Sequence, residues 1–157
     1  RFELVQSPDG ITAIVDYAHT PDALDNILRT IAKFRTGGER LITVVGCGGD
    51  RDVTKRPVMA RVAAAGSDIV FLTSDNPRTE DPEMILADMT AGLDPIDKRK
   101  CISITDRREA IRAAAAFAEA GDIVVVAGKG HETYQEINGV RQDFDDRKVL
   151  MDAFIPA

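Results

Sequence analysis

Runs of apolar residues alternate with segments of helical periodicity along almost the whole chain. Residues 12–18 read as a strand. Leu24, Ile27, Leu28 and Ile31 then recur at helical spacing and form one apolar stripe. Thr20 is the expected N-cap of that helix, with Pro21 at its first position. Residues 41–45 read as a buried strand ending in Gly46-Cys47-Gly48-Gly49, and Val58, Met59 and Val62 mark a second helix that stops near Gly66. Residues 68–73 form the next expected strand. Asp81 and Pro82 open a helix that Gly92 closes, and residues 101–105 are again a strand. Asp106 followed by Glu109 resembles a capping box for a helix over 107–119, ending at Gly121. Residues 122–127 form the last hydrophobic strand. Asn138-Gly139, between 134–137 and 140–144, is a strong hairpin signal. Asp145 is placed to cap a final helix through Phe154. The opening Arg1-Phe2-Glu3-Leu4-Val5 also reads as strand, and with no initiating Met it suggests a domain boundary.

Strands that alternate with helices predict an α/β, Rossmann-like domain. Its sheet is expected to be mainly parallel, with helices on both faces and a C-terminal β-hairpin. The length of 157 residues fits one domain. Apolar residues make up 44%, rich in Ala, Val and Ile and lacking Trp, which suits helices packed on a buried sheet.

Charge narrows the functions. A net charge of −6 provides no general basic footprint for nucleic acid. No apolar run reaches the ~18 residues of a membrane span, and no signal-peptide pattern is visible. The only cysteines, Cys47 and Cys101, show no metal spacing and suit a reducing, cytoplasmic compartment.

Ligands of open α/β sheets bind outside the carboxyl ends of the strands, and here those ends carry the unusual residues. They are Asp16-Tyr17-Ala18-His19-Thr20-Pro21-Asp22, Gly46-Cys47-Gly48-Gly49-Asp50-Arg51-Asp52 with Lys55-Arg56-Pro57, Ser74-Asp75-Asn76-Pro77-Arg78, and Gly128-Lys129-Gly130-His131-Glu132. Each has a plain reading. Asp16 and His19 suit helix capping, the glycine cluster suits a tight turn, Asp75-Asn76-Pro77-Arg78 suits turn chemistry, and Gly128-Lys129-Gly130 suits punctuation. Four polar loops at one edge point instead to a site.

Several familiar motifs fail. Gly46-Cys47-Gly48 begins a dinucleotide fingerprint, but Arg51 stands at its third glycine. Gly128-Lys129 is followed by Gly130, and position 123 is Ile, so no Walker A loop is present. His19 and His131 lack matched zinc ligands and an evident nucleophile partner. Cys47, beside Arg51 and near a helix start, sits where a thiol pKa can fall, although plain packing suits it better.

Taken in order and spacing, the four loop motifs resemble those of the MurE-type Mur ligases, over nearly the whole chain. Arg1-Phe2-Glu3 is similar to the hinge segment that opens the C-terminal domain of those enzymes. The resemblance implies a part in ATP-dependent amide formation, in which meso-diaminopimelate is added to UDP-MurNAc-L-Ala-D-Glu for peptidoglycan synthesis. It implies that Arg51, Asp75, Asn76, Pro77, Arg78, Gly128 and Glu132 bind the diamino acid. Arg1, Asp16, Tyr17, His19 and Thr20 resemble segments near ATP. The P-loop, the Mg2+ ligands and the UDP-sugar site would lie in upstream N-terminal and central domains, so this domain alone is expected to be inactive. A non-catalytic amino-acid or nucleotide-binding module is the rival reading. A ligase adding another amine, such as L-lysine, is a second.

Overall fold

The computed structural model describes residues 2–155. Six strands form one sheet: β1 (Glu3–Val5), β2 (Thr12–Asp16), β3 (Leu41–Cys47), β4 (Ile69–Ser74), β5 (Cys101–Ser103) and β6 (Ile123–Ala127). Their order is β1-β2-β6-β3-β4-β5. All neighbours pair in parallel except β1, which runs antiparallel to β2 along the edge. A separate antiparallel ribbon joins β7 (Tyr134–Ile137) to β8 (Val140–Asp143).

Strand alternation sorts the core into two layers. Ile14, Leu41, Val45, Leu72 and Val125 share one face with the stripe Leu24, Ile27, Leu28 and Ile31 of α1 (Pro21–Phe34). Met59, Ala60, Ala63 and Ala64 of α2 (Lys55–Gly66) join them, with Leu86 and Met89 of α3 (Pro82–Thr90). Val15, Val44, Phe71, Val124 and Val126 point the other way. They meet Ala110, Ile111 and Ala114 of α5 (Arg107–Phe117), and Val149 and Leu150 of α6 (Asp146–Ala153). The chain steps one way from β2 through β5, then returns to insert β6 between β2 and β3. A right-handed crossover rule requires helices of the outward and return paths to lie on opposite faces, and here they do.

The expected caps form where the short polar side chains stand. Thr20 accepts from the Ala23 amide at 3.2 Å, Asp81 from Glu83 at 2.9 Å, Asp106 from Glu109 at 3.0 Å and Asp145 from Arg147 at 3.0 Å. Asn138 and Gly139 both take positive φ, 51° and 76°, the conformation of a two-residue type I′ hairpin. Some boundaries shift. β2 ends at Asp16 rather than at 18, because the Asp16 carboxylate takes the Ala18 amide at 2.9 Å and bends the chain out of the ladder. β3 runs on to Cys47. A short helix α4 (Pro95–Lys98), capped by Asp94, fills a stretch that carries no apolar period.

Candidate functional site

Strands β2, β3, β4 and β6 are adjacent and parallel, so their carboxyl ends release four loops at one edge. A cleft of about 420 Å³ opens there. Tyr17 and His19 line it from the loop after β2. Gly46, Cys47, Gly48, Arg51, Asp52 and Lys55 come from β3, its loop and the start of α2. The β4 loop contributes Asp75, Asn76 and Arg78, the β6 loop Gly128 and Glu132, and the ribbon Tyr134. Cations (Arg51, Lys55, Arg78) and carboxylates (Asp52, Asp75, Glu132) therefore share one wall-to-wall space, which suits a ligand bearing charges of both signs.

Arg78 is held by its backbone as well as its side chain. Its φ is 53°, a left-handed conformation that costs a non-glycine residue roughly 1 kcal/mol or more. Two hydrogen bonds to the ribbon hold it there: the Arg78 amide donates to the Glu136 carbonyl at 3.0 Å, and the Asn138 amide donates to the Arg78 carbonyl at 2.7 Å. The guanidinium Nη1 donates to the Gly49 carbonyl at 2.9 Å. A Cβ on Gly48 would stand 2.8 Å from that Nη1, so glycine there leaves room for the guanidinium. The other nitrogens of the fork form no hydrogen bond among the described residues, and a planar fork suits a carboxylate. Arg51 is exposed and, among the described residues, donates only to the Asp50 carbonyl, at 2.9 Å.

The glycine-rich loop after β3 is pinned from both sides. The Gly49 amide donates to the Asn76 carbonyl at 2.8 Å. Buried Arg56 spans Glu80 with bonds of 2.8 and 3.1 Å, reaches Asp88 at 2.9 Å, and donates to the Gly48 carbonyl at 3.2 Å. Arg56 thus ties the loop to α3 rather than entering the cleft.

Beneath the cleft lies a fully buried ion pair. Arg107 donates to both oxygens of Asp146, at 2.8 and 2.6 Å, with both side chains 0% exposed. The same guanidinium donates to the Ser74 carbonyl at 2.9 Å and the Ala127 carbonyl at 3.2 Å, the last residues of β4 and β6. Burial alone would lower the Arg107 pKa, but the Asp146 carboxylate, with Asp75 and Glu132 acting in the same direction, makes the net shift upward. One cation therefore fixes the two strand ends from which the Asp75 and Gly128 loops depart.

Lys129, between two glycines at the end of β6, is 0% exposed. Its ammonium donates to Asn76 Oδ1 at 2.6 Å and to the Tyr134 carbonyl at 3.0 Å. Asp75 Oδ1 is 3.4 Å away and Glu132 Oε1 3.8 Å. Burial pushes its pKa down, while Asp75 opposes the shift. A sequence reading of this segment as punctuation misses the residue. The available signal was a lone cation flanked by glycines at a buried strand end, where it cannot reach water without displacing the loop. Tyr134, Asp52 and Lys55 also line the cleft without having been singled out as site residues.

The remaining expected site residues fall as follows. Pro77 lies behind the cleft, its carbonyl packed against Gly49. Asp16 lines a shallow apolar groove with Phe2, Ala23, Asn26, Ile27 and Phe34. Thr20 is spent on the cap of α1, and Arg1 lies outside the described residues. Tyr17 forms a ring cluster at the cleft lip, its centroid 4.6 Å from His19 and 5.8 Å from His131. His19 Nδ1 meets the Tyr17 carbonyl at 3.0 Å; a carbonyl only accepts, so Nδ1 carries the proton. Cys47 is not activated by its neighbours. Burial pushes its thiol up to about 12, and nearby Asp75 adds to the shift.

Comparison with known proteins decides the family: the model for "Mur ligase, glutamate ligase domain" matches residues 1–130. The chain belongs to the Mur ligase family. A UDP-N-acetylmuramoyl-L-alanyl-D-glutamate–2,6-diaminopimelate ligase of Bacteroides thetaiotaomicron is 58% identical over 154 residues, 98% of this chain and 32% of that protein. The ligase of the same name from Clostridioides difficile is 50% identical over 149 residues, 95% of this chain and 30% of that protein. This Mur ligase domain thus spans about a third of the length of the curated relatives it matches. A solved structure of a ligase of that name superposes with a TM-score of 0.91 at 52% identity, covering 98% of this chain and 31% of that one. An Escherichia coli FolC structure in complex with ADP, at 24% identity and a TM-score of 0.60, shares the fold over 82% of the domain and 28% of its own chain. Among the described residues no helix is long and apolar enough to cross a membrane.

Proposed function

We propose that this Mur ligase domain binds meso-diaminopimelate for an enzyme that joins it, at the expense of ATP, to UDP-MurNAc-L-Ala-D-Glu in the cytoplasm during peptidoglycan synthesis. The observation that carries the reading is the single cleft in which Arg51 and Arg78 stand with Asp75 and Glu132. Diaminopimelate bears a carboxylate and an ammonium at each end. A competing amine substrate such as L-lysine lacks the distal carboxylate. The free part of the Arg78 fork holds that carboxylate, with Asn76 beside it on the Asp75-Asn76-Pro77-Arg78 loop. Arg51 supplies a second, exposed cation. Glu132, Asp75 and the Gly128 carbonyl receive ammonium protons. The diaminopimelate ligases at 58% and 50% identity support the same substrate.

Arg1, Asp16, Tyr17, His19 and Thr20 form the proposed ATP-facing segment, with the Tyr17 and His19 rings at the cleft lip. We assign magnesium to the rest of the enzyme, as the resemblance to the ligase family implies. The P-loop and UDP-sugar site are assigned there too, so the chain alone contributes specificity and closure without turnover.

A charged hydrogen bond contributes about 1.5–3 kcal/mol, so a guanidinium left unpaired against lysine implies tenfold to hundredfold discrimination. In a complete ligase carrying this segment, Arg78→Ala should raise the KM for diaminopimelate by that factor and narrow its preference over L-lysine. Arg78→Lys should recover little, since an ammonium lacks the fork. An unchanged KM in Arg78→Ala would refute the assignment.

A further inference from the structure

The Asn76 side chain has a defined polarity. Its Oδ1 accepts from Lys129 Nζ at 2.6 Å and from the Glu136 amide at 3.0 Å. Both partners are pure donors, so the oxygen cannot be exchanged with the nitrogen by an amide flip. Nδ2 is left with no hydrogen bond among the described residues, on a side chain that lines the cleft. Lys129 itself does not reach the cleft: it is 0% exposed, and its donors are directed to Asn76, Tyr134 and the nearby carboxylate of Asp75.

We propose that Lys129 is a positioning residue whose buried ammonium locks the Asn76 amide, so that Nδ2 stands ready to donate to a carboxylate of the diamino acid. This rests on the reading of the cleft as the diaminopimelate site. The same ammonium gathers the Asn76 loop, the Asp75 carboxylate and the first residue of the ribbon around one point. It therefore presets groups that would otherwise pay an ordering cost when the ligand arrives. Without Lys129, Oδ1 keeps one partner instead of two, and the amide is held less firmly in the orientation that offers Nδ2 to an anion.

Three variants of a complete ligase carrying this segment test the idea. Asn76→Asp retains both bonds accepted from Lys129 and Glu136 but replaces the donor by an acceptor. It should melt within a few degrees of the parent and raise the KM for diaminopimelate about tenfold or more. Lys129→Met should raise that KM similarly while leaving the KM for ATP within about twofold, a split that general loosening of the fold would not produce. Arg78→Ala serves as the reference. If Arg78→Ala impairs diaminopimelate use while Asn76→Asp leaves it at the parental value, the Lys129 inference is wrong and the site stands. If neither variant alters it, the site reading itself fails. A Lys129→Met protein that raises both KM values equally is also contrary to the proposal. If that variant does not fold, Asn76→Asp decides.

Discussion

Cutting the buried pair of Arg107 and Asp146 by Asp146→Ala should be among the most damaging single changes outside the cleft. The two carboxylate bonds, at 2.6 and 2.8 Å, vanish, while the guanidinium keeps only its bonds to the Ser74 and Ala127 carbonyls. The pair is closed to bulk solvent, with both side chains 0% exposed. Removing one member of a buried pair costs about 3–5 kcal/mol, since a charge remains without compensation. A domain of this kind is stable by only about 5–15 kcal/mol. At roughly 2–4 °C per kcal/mol for this size, the melting temperature should fall by about 6–20 °C. Calorimetry or a circular-dichroism melt of the 157-residue chain reads this directly. The double variant Arg107→Met, Asp146→Leu removes both charges and should melt between the parent and Asp146→Ala. It recovers the cost of the lone charge but still deprives two strand-end carbonyls of their donor. An Asp146→Ala protein melting within about 2 °C of the parent would refute the reasoning, because Arg107 would then have another counter-charge or a path to solvent.

Further expectations follow from single contacts. A Cβ on Gly49 would stand 1.8 Å from the Pro77 carbonyl oxygen, a backbone atom that no rotamer change can move. Gly49→Ala should therefore cost about 1–3 kcal/mol and separate the β3 and β4 loops, seen as a lower melting temperature of the domain and, on the proposed function, as a raised KM for diaminopimelate in a complete ligase carrying this segment. Burial lifts the Cys47 thiol from its ordinary 9.0 to about 12, and that of Cys101 to about 11. At pH 8 the Cys47 thiolate population should be about a thousandfold below that of a free thiol, so iodoacetamide should label it only after denaturant is added. Rapid labelling of the native chain would contradict this. The same shift fixes a sign. The unfolded thiol ionises from about pH 9 while the folded one stays protonated to about 12, so Cys47 makes the fold lose stability as pH rises through that interval.

The elements were legible wherever hydrophobic period and end chemistry agreed. The stripe Leu24, Ile27, Leu28 and Ile31 with the Thr20 cap placed α1 correctly. The Asn138-Gly139 pair announced its hairpin through the two positive φ values it tolerates. The parallel sheet followed from strand–helix alternation, and with it the gathering of four loops at one edge. What escaped was long-range and polar. Arg107, Asp146 and Arg56 sit on helices whose sequences read as ordinary charged faces, because a partner 39 or 24 positions away leaves no local mark. Lys129 escaped because its burial depends on a ribbon folded over it. The orientation of the Asn76 amide depends on that same ribbon, and no spacing rule encodes it.

The left-handed backbone at Arg78 has an evolutionary consequence. A residue that must adopt φ near 53° draws on a narrow set of replacements: Asn, Asp and Gly tolerate it, whereas Val, Ile or Thr would be strained. The bonds that hold this conformation come from Glu136 and Asn138, on the ribbon. Those are main-chain groups, so the ribbon's side chains stay free to vary while position 78 is confined to residues that accept this backbone.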